Sequence, residues 1–218
     1  MLELCTDKTE VLRHIAEGEG QCMDLKLRVD SSRKIASSLV AFANSDGGRL
    51  FIGVKDNGKI RGIDPEEEFY MIQAASEMYT SPPVPFTQSL HKFPEGQVLE
   101  ILVQASDLRP HYYLGEERKQ VFIRQEDEIY EASGVHVRSW KESNRPSMLK
   151  YSEKEQIILR FLDEEGEMSF GEGLQLVKSA PLALEMFLAK MLSWNIIGIA
   201  YDQNGAFYYP QKEHEQVY

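Results

Sequence analysis

Residues Ala41–Asp64 read AFANSDGGRLFIGVKDNGKIRGID. Just upstream, Ile35, Leu39, Val40 and Phe42 recur at helical spacing, so Arg33–Ala43 is expected to be a helix with Ser31 and Ser32 available to cap it. Asn44–Gly48 breaks it with turn residues. Gly47 and Gly48 permit positive φ and close backbone approach where a helix turns into a strand. The same turn could present backbone N–H groups to a phosphate as a nest, making Asn44, Gly47 and Gly48 candidate anion contacts. A strand over Arg49–Lys55 follows, and Asp56-Asn57-Gly58 is a strong hairpin signal before a return strand over Lys59–Ile63.

Outward from this unit the pattern stays mixed. Thr9–Glu17 reads as a short amphipathic helix, Gly18 and Gly20 stop it, and Cys22–Val29 alternates apolar and polar residues like a strand. Pro65 opens a helix over residues 66–80, which Pro82, Pro83 and Pro85 end. Strands are expected at Phe86–Phe93, Gln97–Gln104 and Gln120–Arg124. The polar, proline-containing stretch Lys141–Lys150 suggests a domain of residues 1–143, a linker at 144–150 and a second domain at 151–218. In the second domain, Ser152 and Glu155 form a capping-box pattern, Phe170–Val177 and Pro181–Trp194 read as helices, and Ile196–Tyr201 and Ala206–Tyr209 flank an Asn-Gly turn. Three helices and a hairpin give the order of a winged helix-turn-helix. The fold class is therefore mixed α+β.

The 42% hydrophobic and 27% charged fractions are those of an ordinary globular protein. No run approaches the roughly 18 apolar residues that span a bilayer, and the opening MLELCTDKTEV lacks an apolar secretory core, so no membrane role and a cytoplasmic location are expected. Cys5 and Cys22 are too few for a disulfide framework, and His14, His91, His111, His136 and His214 form no metal-binding spacing. The net charge is −11, with 18 Lys and Arg against 24 Asp and Glu in residues 1–146 and 6 against 11 in residues 147–218. Both parts are acidic, so any contact with a polyanion needs a local basic stripe or a metal ion.

Glu19, Asp24-Leu25-Lys26, Ala41-Phe42-Ala43-Asn44, Asp46, Gly47-Gly48, Gly53-Val54 and Asp56-Asn57-Gly58 form one string. That string, densest over Ile35–Asp64, resembles the Schlafen-type Alba-like domain family of bacterial DNA-binding regulators and Schlafen ribonucleases. The resemblance implies an Alba-like first domain that contacts nucleic acid, DNA ahead of RNA. In the nuclease members it implies three carboxylates around a divalent metal, and matching positions makes Glu19, Asp24 and Asp56 candidate Mg²⁺ or Mn²⁺ ligands and catalytic acids. Lys26 would offset charge on the scissile phosphate. Two departures stand out. Asp24 replaces the family's usual Glu, and Glu126-Asp127-Glu128 follows Arg124-Gln125 where the family has glycine and small hydroxyl residues.

The basic candidates are Lys26, Arg28, Arg33, Lys34, Arg49, Lys55, Lys59 and Arg61, which make residues 26–61 the most basic part of the chain. Asp24, Lys26 and Arg28 share one strand face by the two-residue period. Pro181–Trp194 carries only Lys190 among seven large apolar residues, which suits packing or homodimerisation better than base reading. The leading expectation is a non-enzymatic DNA-binding protein or transcriptional regulator without a cofactor. The alternatives are a metal-dependent endoribonuclease using Glu19, Asp24 and Asp56, and an acidic protein-interaction scaffold.

Overall fold

The computed structural model describes residues 3–4, 8–142 and 152–211. The fold is mixed α+β, as the sequence pattern predicts. The chain forms two compact units, Met1–Glu131 and Ala132–Tyr218.

In the first unit the elements run β1 (Glu3–Leu4), α1 (Lys8–Glu17), β2 (Met23–Lys26), α2 (Ser32–Asn44), β3 (Gly48–Ile52), α3 (Pro65–Tyr79), β4 (Thr80–Ser81), β5 (Thr87–Phe93) and β6 (Gly96–Val103). Then come β7 (Tyr112–Leu114), β8 (Lys119–Gln120), β9 (Phe122–Gln125) and β10 (Glu128–Glu131). The main sheet has the order β1-β5-β6-β3-β2. β2 and β3 are parallel neighbours joined through α2, as parallel pairing requires a crossover. β5, β6 and β3 pair antiparallel.

The two-residue period of the strands divides the core. Leu50 and Ile52 of β3, with Leu99 and Ile101 of β6, pack against Leu39 and Phe42 of α2 and Ile72 of α3. Phe51 and Val98 point the other way and are covered by Val11 and Ile15 of α1. α3 starts where expected because Asp64 accepts from the Glu66 N–H, Pro65 occupies the first turn and Glu66–Glu68 favour the positive end of the helix dipole.

Two expectations are corrected here. The strand over Cys22–Val29 contracts to Met23–Lys26, because the Lys26 carbonyl accepts from both Gly53 and Val54 while the Val29 N–H goes to Glu68. The return strand Lys59–Ile63 reduces to the single bridge Val54–Ile60, because Gly53 and Gly62 turn to positive φ on either side of it.

The second unit holds α4 (Gly134–Glu142), α5 (Glu153–Glu165), β11 (Met168–Ser169), α6 (Phe170–Val177), α7 (Pro181–Ser193), β12 (Ile197–Asp202) and β13 (Gly205–Pro210). Capping boxes at Ser152–Glu155 and Ser169–Glu172 start α5 and α6. Ile158, Leu162, Met168, Leu184, Leu188 and Tyr208 form its core. α4 has weak helical patterning, and it forms by packing Val135 into this core and pairing Arg138 with Glu185 at 2.8 Å. The expected division lay at the 144–150 linker, which falls outside the described residues; the units divide ahead of it, between Glu131 and Ala132.

Candidate functional site

β2 and β3 run parallel, so their start and their end make two distinct environments. At the start, Arg124 is buried with only 2% of its side chain exposed. Its Nε donates to the Gly20 carbonyl and its guanidinium to the Met23 carbonyl, both at 2.8 Å, and it lies over the Phe42 ring at 5.0 Å. Asp24, 5% exposed, sits 3.8 Å from the same guanidinium and accepts from Lys26 at 2.8 Å. Glu19 accepts from the Leu25 N–H at 3.1 Å and stands 3.7 Å from Lys26. Gln21 ties this end to Asp46 and to the Glu126 N–H, so the exposed acids Glu126, Asp127 and Glu128 border it.

Glu19 and Asp24 are therefore brought together, but as partners of Lys26 and Arg124. Asp56 is exposed on the turn beyond the other end of β3 and does not join them. Among the described residues, no three His, Cys, Asp or Glu side chains lie close enough to share a metal ion. The three-carboxylate metal site read from the family pattern does not fit this geometry, because Asp24 is committed to two cations and Asp56 lies apart.

The candidate phosphate nest lies in the joint between α2 and β3. Asn44 is 2% exposed and its amide donates to the carbonyls of His111 at 2.9 Å and Phe122 at 3.0 Å. The N–H groups of Ser45 and Gly47 are already donated to helix carbonyls. A Cβ at Gly48 would fall 2.2 Å from the Phe42 ring. The turn is a packed joint whose Ser45 and Gly47 N–H groups are already taken up.

The eight basic candidates split in two. Lys26 pairs with Asp24, Arg28 with Asp30, Arg33 with Glu116 and Arg49 with Glu100. Lys34, Lys55, Lys59 and Arg61 make no ion pair among the described residues. Three of these four fall on one hairpin. The Val54–Ile60 bridge and the 3.0 Å Lys55 N–H to Lys59 carbonyl bond set Lys55 directly opposite Lys59, and alternation puts Arg61 on their face. Val54, fully buried, and Ile60 occupy the other face, against the core under α1. Like charges directly opposite destabilise a strand pair. Here they stand at the end of β3 away from Glu126–Glu128, three bases without an ion pair among the described residues, grouped on one hairpin.

Two buried features carry no local signal in the sequence. Arg124 reaches residues 101 and 104 positions away. His91, 1% exposed, bonds Glu100 at 2.8 Å, and Arg49 pairs with the same carboxylate, beside a pocket of about 180 Å³ under α1. Burial pushes the Glu100 carboxyl up, but the bonds from His91 and Arg49 outweigh it and hold it below its ordinary value. Alternation along β5 and β6 would have put these groups on one face, but only the pairing register joins them. In the second unit, Lys190 of α7 pairs with Glu155 at 3.3 Å and lies over Trp194, and Leu182 and Met186 of the same helix are exposed at 58% and 51%.

The family model described as Schlafen, AlbA_2 matches residues 19–133. No curated protein matches the chain. Among solved structures, the N-terminal domain of a RecG-related protein from Nitrosomonas europaea is similar at 16% identity and a TM-score of 0.44, over 67% of this chain and 97% of that one. The DIP2311 protein from Corynebacterium diphtheriae is similar at 15% identity and a TM-score of 0.45, over 88% of this chain. The chain spans 34% of that second protein's length. With the helix–Gly-Gly–strand joint and the hairpin both inside the matched region, this chain belongs to the Schlafen, AlbA_2 family.

Proposed function

We propose that this protein binds DNA without cutting it, as a regulator that acts by occupancy, through the hairpin of its first unit. The observation that carries the reading is the Lys55–Lys59 pair with Arg61 on the same face, none of them neutralised by an acid among the described residues. Family membership supports it. A filter-binding titration at low salt, against duplex DNA and structured RNA, tests it. Affinity is expected to fall with salt at a slope of about 0.9 per neutralised phosphate. Reversing Lys55, Lys59 and Arg61 to Glu abolishes the salt-dependent part. No binding at micromolar protein overturns the reading.

In this reading the second unit is winged-helix-like in element order, and α7 makes contacts with protein instead of reading bases. Its exposed stripe of Leu182 and Met186 offers no hydrogen-bonding group to a base edge. Light scattering of wild type and Leu182→Glu tests whether that stripe joins two copies. A monomeric wild type overturns the dimer.

A further inference from the structure

The hairpin does not stand alone. Its return segment borders an open groove lined by the apolar Leu12 of α1, Ile60, Phe93 and Pro94 together with Lys59 and Arg61. Leu12 is 47% exposed, and Phe93 is half-buried, packed on the core beneath. The groove walls are locked together. The Ile63 N–H donates to the Gln97 carbonyl at 3.1 Å, and a Cβ at Gly62 would fall 2.7 Å from the Gly96 Cα. Backbone contact thus fixes the two segments that carry the cations and the aromatic ring relative to each other.

We propose that this groove is a binding site for single-stranded nucleic acid, with phosphates on Lys59 and Arg61 and a base against Phe93 and Pro94. The proposal rests on the nucleic-acid reading above and names the form of nucleic acid it takes. Three observations select a single strand over a duplex. An apolar lining beside cations matches the alternation of base and phosphate, and only an unpaired strand exposes its base faces to such a lining. The net charge of −11 works most strongly against the polyanion of highest charge density, which is the duplex. Asp56 on the turn and Glu95 on the groove rim subtract from the local positive charge, so two or three cations alone give little affinity and the apolar contact must supply the rest.

The test is fluorescence anisotropy with a labelled short oligothymidylate and a labelled duplex of similar length, across a salt series. The oligothymidylate is expected to bind more tightly than the duplex. Phe93→Leu keeps the apolar volume and removes the aromatic face; it is expected to weaken the single strand about five- to tenfold and leave the duplex unchanged. Leu12→Ser, at an exposed position, is expected to weaken the single strand in the same direction. Lys59→Gln with Arg61→Gln is expected to weaken both probes and lower the single-strand salt slope by about 1.4. Duplex binding equal to or tighter than single-strand binding, or an unchanged single-strand affinity in Phe93→Leu, overturns this inference and leaves the broader reading standing. Binding of neither probe overturns both.

Discussion

The side chain of Asn44 and the backbone of His111 hold each other in both directions: the amide donates to the His111 carbonyl at 2.9 Å, and its oxygen accepts from the His111 N–H at 2.8 Å. A further bond to the Phe122 carbonyl makes this one carboxamide the joint between the end of α2 and two later segments. Asn44→Asp keeps the shape, removes the donor to two carbonyls and buries a charge. Each buried group left unsatisfied costs about 1–3 kcal/mol. Urea denaturation is expected to show a loss of about 3 kcal/mol or more. A midpoint unchanged from wild type would refute the joint.

Gly48→Ala places a methyl 2.2 Å from the Phe42 ring, which itself lies under the Arg124 guanidinium. Overpacking of this kind costs about 1–3 kcal/mol. Phe42→Leu in the same chain relieves the clash, so the double variant is expected to be more stable than the two single losses add up to. A thermodynamic cycle measures it, and strict additivity would contradict the contact.

Arg124→Met removes one of the two cations beside Asp24, which is 5% exposed, and the side-chain donor to the Gly20 and Met23 carbonyls. Leaving a buried charge wholly unpaired costs about 3–5 kcal/mol, and with Lys26 still beside Asp24 the loss is expected below that. Adding Asp24→Asn to Arg124→Met is expected to recover part of that loss, which denaturation midpoints would report.

Two buried glutamates give opposite pH signatures. Glu100 is held below its ordinary value, so its ionised form stabilises the fold above about pH 4.3, and that contribution is lost as pH falls through the lower folded value. Glu68 is pushed up by burial, against the Val29 N–H that it accepts. Its ionisation opposes folding at neutral pH, and the penalty disappears as pH falls below its raised value. Glu100→Gln is therefore expected to lower the melting temperature at pH 7 and to converge on wild type in acid. Glu68→Gln keeps an acceptor for Val29 and is expected to match or exceed wild type at pH 7. Thermal melts from pH 3 to pH 8 separate the two.

A metal prediction follows from the carboxylates. With Asp24 engaged by Lys26 and Arg124 and Asp56 apart, Mn²⁺ is expected to leave the melting temperature unchanged and to cause no cleavage of tRNA. Cleavage lost in Asp56→Ala would instead favour a nuclease.

Much of the first unit was legible because its signals are local. Helical spacing of Ile35, Leu39 and Phe42, the Asn44–Gly48 break and the Asp56-Asn57-Gly58 turn each act within a few residues, and the elements formed where they point. The capping boxes of α5 and α6 are equally local, pairing residues three apart. α4 was not legible, since its helix depends on burying Val135 in a core assembled from later elements. What the amino-acid order determined by itself was therefore the helix–turn–strand unit, the hairpin and the family they mark. Lys26 and Arg28 pair with Asp24 and Asp30 only two residues away, but tertiary structure alone decided the long-range pairs. Arg33 and Arg49 look like Lys55, Lys59 and Arg61 in sequence, but only folding brings Glu100 to Arg49, Glu116 to Arg33 and Arg124 to Asp24. The physical reason is range: turn and cap preferences are settled between near neighbours, whereas these three ion pairs follow from packing that joins residues far apart in the chain.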